Sequence, residues 1–120
     1  MPFELQYKEG DPYMRIIPQG NIGLEDILEM MASISRGERF TCHRRLWDLR
    51  SCTLDVTAEE MQRVAADGRQ RDDSDSRAAL LADTDLNFGM ARLLAVHREN
   101  TDAQFMVFRE EKDALEWLLR

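Results

Sequence analysis

The spacing of hydrophobic positions changes along the chain, and each change predicts an element. Apolar and polar side chains alternate over 3–8, a period of two that predicts a strand. A turn signal follows, and 13–18 is predicted as the second strand of a hairpin. From 24 to 36 the apolar residues recur at three-four spacing, which predicts a helix with one buried face.

After this helix, the pattern predicts alternating strands and helices. The expected strands are 40–49, 78–82 and 105–108, and the expected helices are 57–67, 86–98 and 110–119. The segment 19–23 is expected to be a loop, and 68–76 a mobile loop or a frayed helix end. The order β-β-α-β-α-β-α-β-α is typical of parallel strands joined by helical crossovers. We therefore predict an α/β fold with a mostly parallel, mixed five-stranded sheet and helices on both faces.

Composition narrows the class of protein. The 120 residues are 43% hydrophobic, which suits a single domain spanning 1–120. No apolar run approaches the roughly 20 residues of a transmembrane helix, and the N-terminus does not resemble a secretion signal, so we predict a cytoplasmic protein. The net charge of -7 argues against general nucleic-acid binding. The densest basic cluster, His43 to Arg45, is interpreted as a solvated strand start.

Metal binding and catalysis both lack a recognisable motif. The soft metal ligands are Cys42, His43, Cys52 and His97, but the adjacent pair would point to opposite faces of a strand, unlike a structural zinc site. The acidic run 72–75 lacks the glycine and distal glutamate of a calcium loop. Neither histidine lies at a motif distance from Cys52. We predict free thiols, no metal, no cofactor and no catalytic residue.

Acidic side chains follow two predicted parallel strands. Asp48 ends one strand, and Asp83 and Asp85 follow the next. Ligands bind beyond the carboxyl ends of the strands in open α/β sheets, so these acids are candidate ligand- or partner-binding residues. The alternative is structural: Asp83 or Thr84 caps the next helix, and Asp48 bonds loop backbone.

A glycine lies in the first turns of the helix predicted at 86–98. Glycine in a helix costs about 1 kcal/mol relative to alanine, so Gly89 needs a compensating interaction. Either the helix packs closely on the sheet there, or a ligand or partner approaches. Phe88 and Arg92 lie beside this position and are further candidate binding residues. Trp117 is expected in the core.

Taken together, the order of elements and several short segments resemble the SpoIIAA-like family of bacterial proteins over nearly the whole chain. The segments that carry the resemblance are 46–49, 88–92, 107–110 and 114–118. This family has a STAS-like fold that is also compared with the lipid-binding Sec14 domain. The resemblance implies a binding or regulatory domain without chemistry of its own.

The resemblance also suggests a second hypothesis, in which the chain is a switch controlled by phosphorylation. In phosphorylated anti-anti-sigma factors of the STAS group, an aspartate-serine pair opens the helix after the matching strand. Here Asp55 is followed by Val56, so the serine is missing. Ser51 and Thr57 are nearby hydroxyls outside that position. Thr57 fits better as a helix cap, because Glu60 follows three residues later as in a capping box.

These observations favour a non-catalytic module that recognises a protein partner or a small ligand at the carboxyl rim of the sheet. A homodimer is a further expectation, and exposed apolar residues on the helix at 86–98 would indicate its surface. The alternatives are the phosphorylatable switch and a Sec14-like carrier of a small apolar ligand. The carrier requires an internal cavity.

Overall fold

A computed structural model describes residues 3–35, 43–69, 76–98 and 104–120. Within these ranges the elements are β1 (Phe3–Gln6), β2 (Met14–Pro18), β3 (Gly20–Ile22), α1 (Leu24–Ser35), β4 (Arg44–Asp48), β5 (Cys52–Leu54), α2 (Ala58–Arg69), β6 (Arg77–Leu81), α3 (Asp85–His97), β7 (Gln104–Phe108) and α4 (Glu111–Leu118).

The main sheet confirms the predicted architecture. Its five strands lie in the order β1-β2-β4-β6-β7. β1 runs antiparallel to β2, as expected for the hairpin, and every other neighbouring pair is parallel. The carboxyl ends of β2, β4, β6 and β7 therefore share one edge of the sheet, which we call the carboxyl rim; the opposite edge is the amino rim.

Helices cover both faces of this sheet unequally. The larger core cluster joins residues of α1, α2 and α3 to one face, which includes Leu80 of β6. We call this the three-helix face. On the other face, the α4 face, Ala114 and Leu118 pack against Leu46, Ala79 and other residues of the sheet. Alternation along the strands produces both surfaces, since successive side chains point to opposite sides.

A second, two-stranded sheet was not predicted. β3 and β5 pair in parallel at the carboxyl rim, where the sequence indicated a loop at 19–23. The backbone N–H of Gly20 donates to the carbonyl oxygen of Ser51 at 3.1 Å, and Gly20 has a φ of 81°, a left-handed conformation that suits glycine. Strands of three residues are too short to show a period, so hydrophobic spacing does not reveal them.

The end of α2 lies slightly beyond the predicted helix. α2 continues through Gly68 and Arg69, the first two residues of the segment expected to be a mobile loop or a frayed helix end, which favours the second alternative there. A glycine late in a charged segment resembles a loop in sequence, but its backbone here is helical. The acidic run 72–75 and Cys42, both considered for metal binding, lie outside the described residues.

Candidate functional site

A cavity of about 90 Å³ lies between the three-helix face of the sheet and the helices that cover it. α1 contributes Ile27 and Ile34, α2 contributes Val64, and α3 contributes Ala91. Trp47 and other residues of the sheet form its floor. Most of the lining is apolar, and a cavity of about 150 Å³ lined only by apolar side chains accepts benzene.

Methionine makes this lining adaptable. Met30, Met31 and Met61 all border the cavity, on two neighbouring helices. Methionine is unbranched and has three rotatable bonds, so it repacks around guests of different shape at little cost. The three methionines therefore make this part of the lining more adaptable than branched side chains would.

The polar side chains in the lining lie towards the amino rim. Arg45, near the start of β4, points to the same face as Trp47 because the two residues are separated by one position. Arg98, directly after α3, is only 3% exposed. Its guanidinium carbon lies 4.3 Å from the centre of the Phe105 ring, within the range of a cation–π contact. The opposite end, near Leu54, is apolar.

Arg77 also borders the cavity but does not add a third cation to it. Its Nη1 donates to the carbonyl oxygen of Trp117 at 2.9 Å, and its guanidinium lies over the Trp117 ring at 5.4 Å. Trp117 belongs to the core cluster on the α4 face, where it was expected, although it is only half-buried. The charge of Arg77 is therefore directed away from the cavity.

Gly68 makes room for Arg98. A Cβ atom placed at Gly68 would overlap Nη1 of Arg98 and lie 3.3 Å from the terminal methyl group of Met31. Glycine costs a helix about 1 kcal/mol relative to alanine. Here the missing side chain lets a guanidinium cross between α2 and α3.

A buried amide fixes the other end of the cavity. Asn87 is 1% exposed, and its Oδ1 accepts from the backbone N–H of Leu54 at 3.0 Å. Its Nδ2 donates to the carbonyl oxygens of Leu49 and Cys52, at 3.0 and 2.9 Å. Leu49 and Leu54 line the cavity, so Asn87 positions this part of its wall. The sequence analysis missed Asn87, because a single asparagine at a helix start carries no signal of burial.

Asp48 lies in an ion cluster at the carboxyl rim. Its side chain is 7% exposed, and its Oδ2 lies 3.2 Å from Nη1 of Arg15 and 2.8 Å from Nη2 of Arg50. Glu111 of α4 binds the same two arginines, at 2.8 and 2.9 Å. Two carboxylates and two guanidiniums thus join β2, β4 and α4. The structure favours the structural alternative for Asp48, which also accepts from the backbone N–H of Arg50.

The cluster shifts the titration of its members. Burial raises the pKa of Asp48, but the hydrogen bonds donated by Arg50 outweigh burial, and the pKa lies below its ordinary value. The hydrogen bond from Arg15 is the main cause of the lowered pKa of Glu111. The hydrogen bond to Asp48 raises the pKa of Arg50 above the ordinary value of an arginine. All four groups are therefore charged at neutral pH.

The other predicted rim residues form a separate group at the start of α3. Asp83 and Asp85 are exposed, and Asp85 accepts from Nη2 of Arg109 at 2.9 Å. The Arg109 guanidinium stacks on Phe88 at 4.2 Å, and Arg92 lies 6.0 Å from the same ring. The structure thus brings Asp85, Phe88 and Arg92 together, while Asp48 belongs to the ion cluster.

The cap of α3 is Thr84, whose Oγ1 accepts from the Asn87 N–H at 3.2 Å.

Gly89 does not pack closely on the sheet. No atom lies within 4 Å of a Cβ placed there, so packing of the helix on the sheet is wrong as its explanation. A ligand or partner at this position stays a prediction. Leu86 and Val96, on the same helix, are 50% and 55% exposed. Exposed apolar residues on this helix are the feature that would indicate a dimer surface, and the dimer itself stays a prediction.

Cys52 is a half-buried thiol of low reactivity. Its sulfur lies 3.6 Å from the carbonyl oxygen of Leu49, and burial, followed by the charges of Asp48 and Asp83, raises its pKa to about 11. Thiolate is the reactive form, so Cys52 is a poor nucleophile at neutral pH. Across the described ranges, no three His, Cys, Asp or Glu side chains are grouped to hold a metal ion.

The two candidate hydroxyls for phosphorylation differ in environment. Thr57 forms the predicted capping box: its Oγ1 accepts from the Glu60 N–H at 3.1 Å, and its own N–H donates to Oε1 of Glu60 at 2.9 Å. Ser51 lies in an exposed turn between β4 and β5. The phosphorylatable switch stays a prediction, with Ser51 as the more accessible hydroxyl.

We expect Thr57→Ala to lower the free energy of unfolding by about 1 kcal/mol, because the first turn of α2 loses its cap. Thr57→Ser, which keeps the acceptor oxygen, should lose far less. Ser51→Ala is the matched control and should stay within about 0.5 kcal/mol of the unchanged protein. Urea denaturation measures all three, and equal stability of Thr57→Ala and Ser51→Ala would contradict the cap.

Comparison with known proteins identifies the fold. The structure is similar to the crystal structure of an uncharacterised DUF3478-family protein from Shewanella loihica PV-4, which is described as having a SpoIIAA-like fold. The alignment covers 97% of this chain and 91% of that one, with a TM-score of 0.56 and 18% sequence identity. No protein-family model and no curated protein matches the sequence. The chain thus has the SpoIIAA-like fold that its sequence predicted.

No helix in the described part of the chain is both long enough and apolar enough to cross a bilayer.

Proposed function

We propose that this chain is a non-catalytic binding module that holds a small apolar ligand between the sheet and helices α1, α2 and α3. The cavity of about 90 Å³ in that place carries the proposal. Of the functions that the sequence left open, this is the apolar-ligand carrier. It acts as a binding or regulatory domain by changing the stability or surface of the three-helix side when the ligand enters.

The composition of the lining supports this assignment. Well-packed cores leave few voids, and a void costs stability because its walls lose contacts. The chain keeps one here, beside small side chains such as Ala78 and Ala91 and beside flexible methionines. Alanine at both positions is compatible with a site that a guest fills.

The test uses 1-hexanol as a neutral apolar probe of the full chain. Binding should raise the thermal midpoint, and the added stability should grow with the logarithm of probe concentration above Kd, reaching about 1.4 kcal/mol at ten times Kd. Ala91→Leu fills the cavity from α3 and should abolish the response while the protein stays folded. Isothermal titration calorimetry gives the affinity of each variant.

Ala95→Leu is the matched control for this experiment. Ala95 lies one turn further along α3 and is half-buried outside the cavity lining. It should bind the probe as the unchanged protein does. If 1-hexanol does not bind the unchanged protein, or if Ala91→Leu binds it equally well, the proposed function is wrong.

The homodimer remains a separate proposal. Native mass spectrometry of the purified protein counts subunits and also detects any small molecule that copurifies in the cavity. The exposed Leu86 and Val96 are the residues to change if a dimer is observed.

A further inference from the structure

We infer that two copies of this chain associate through the exposed face of α3, with the two α3 helices packed antiparallel about a two-fold axis. The inference rests on the homodimer proposed above and specifies its interface, and it does not depend on the ligand in the cavity. It follows from four positions of α3, which we call the α3 seam: Leu86, Gly89, Leu93 and Val96.

The first observation is the spacing and exposure of the α3 seam. Its members are separated by three, four and three positions, the spacing at which side chains line one face of a helix and pack against a second helix. Leu93 is half-buried and the other three members are exposed. Asn87 and Ala91, the buried residues of α3, lie on the opposite side of the helix. α3 therefore covers the core with one face and presents a second uncharged face outwards.

The second observation concerns the glycine of the seam. No described atom lies within 4 Å of a Cβ placed at Gly89, and its φ is not positive, so neither packing nor backbone conformation calls for glycine there. Glycine lowers the stability of a helix relative to alanine. A position without a side chain is also a hole into which a side chain of a second helix can insert. The seam thus has one hole, at Gly89, one turn before a large side chain, at Leu93.

The third observation is that the seam is complementary to itself. Its spacing reads the same in both directions, so an antiparallel copy aligns all four positions at once. In that register Leu86 faces Val96 of the second copy, and Gly89 faces Leu93 of the second copy, so each hole receives one large side chain. A parallel pair would place glycine opposite glycine and leave a void. An isologous contact of this kind fits a second copy of the chain.

Charge and size describe the dimer further. The chain carries a net charge of -7, so two copies repel each other at most orientations. The seam carries no charge, so like charges do not face each other across it. The thirteen residues of α3 extend about 20 Å. A single helix face of that length is smaller than a standard protein interface, so we expect a weak dimer that dissociates on dilution.

The first experiment is sedimentation velocity of the full chain across a concentration series. The unchanged protein should move from a 14.0 kDa species towards twice that mass as concentration rises. Gly89→Leu fills the hole and should raise the dissociation constant of the dimer by about tenfold or more, because overpacking opposes the close approach. The added side chain meets no described atom within one copy, so the urea midpoint at low protein concentration should not fall.

A charge exchange tests the antiparallel register. Leu86→Lys and Val96→Glu should each weaken the dimer, because a charge then faces an apolar side chain. The double variant should associate more tightly than either single variant, since each introduced ammonium then faces an introduced carboxylate of the second copy. The two positions are about 15 Å apart on one helix, too far to pair within a copy. In a parallel dimer like charges would face each other, and the double variant would be the weakest of the three.

Met106→Lys is the matched control. Met106 is an exposed apolar residue of β7, outside α3, and the same charge there should leave association unchanged. If Met106→Lys abolishes the dimer while Gly89→Leu does not, the homodimer stands and its interface on α3 is wrong. If the unchanged protein remains monomeric at every concentration, both the homodimer and this inference fail.

The remaining readouts keep the inference apart from the ligand proposal. Gly89 does not line the cavity, so Gly89→Leu should bind 1-hexanol as the unchanged protein does. Loss of association with retained 1-hexanol binding is the expected result for this variant. If Gly89→Leu does not fold, the two charged variants and their combination decide the interface. A double variant no tighter than the single ones would overturn the antiparallel pair.

Discussion

Asn87→Ala is expected to lower the free energy of unfolding by about 3 kcal/mol or more. The substitution removes three hydrogen bonds at once and leaves the Leu54 N–H and the carbonyl oxygens of Leu49 and Cys52 without their partner. Each buried polar group left unsatisfied costs about 1–3 kcal/mol. Urea denaturation, read as a shift of the midpoint at constant slope, measures the loss.

Asn21→Ala is the matched control for this prediction. Asn21 is exposed and makes one side-chain hydrogen bond, to Asp55 at 3.1 Å, so its replacement should cost less than about 0.5 kcal/mol. A loss of stability at Asn87 no larger than at Asn21 would show that the buried amide does not hold the cavity wall.

Asp48→Ala is the second substitution with a large expected effect, and it should lower the free energy of unfolding by about 3 kcal/mol. Removing one partner of a buried ion pair costs about 3–5 kcal/mol, and the lower end applies because Glu111 still pairs with Arg15. Asp83→Ala is the control: Asp83 is an exposed carboxylate beyond the neighbouring strand and should change stability by less than about 0.5 kcal/mol. Thermal unfolding of both variants tests the difference.

Acid should weaken the unchanged protein more than Asp48→Ala. The pKa of Asp48 is lower in the folded chain than in the unfolded chain. Its stabilisation is therefore complete above the unfolded value of about 4 and is lost as pH falls through the lower, folded value. The stability curves of the two proteins should converge as pH falls below 4. Parallel curves would show that Asp48 does not stabilise the fold through its charge.

Local pattern was sufficient for most of the fold. The alternation of Phe3, Leu5 and Tyr7 predicted β1, and the three-four spacing after Leu24 predicted α1, because each signal repeats within its own element. β3 and β5 escaped this method. They have three residues each, and their pairing depends on how the long elements place them.

The site was harder to predict because its polar groups find their partners far away in sequence. Arg15 bonds Glu111 across 96 positions, and nothing near either residue indicates the pair. Asp48 ends β4, as predicted, but the sequence did not indicate its charged neighbours Arg15 and Arg50, and its role in binding stays a prediction. Arg45 was interpreted as part of a solvated strand start, whereas it borders the cavity. Burial of a charged side chain is decided by tertiary contacts, which a sequence period does not encode.

The small β3–β5 sheet determines where the three-helix layer can open. β3 and β5 lie just before α1 and α2, and Asn87 ties the start of α3 to the same segment, so the amino ends of all three helices are fastened together. Motion between these helices should therefore be smallest beside the β3–β5 sheet, where Asn87 holds the start of α3.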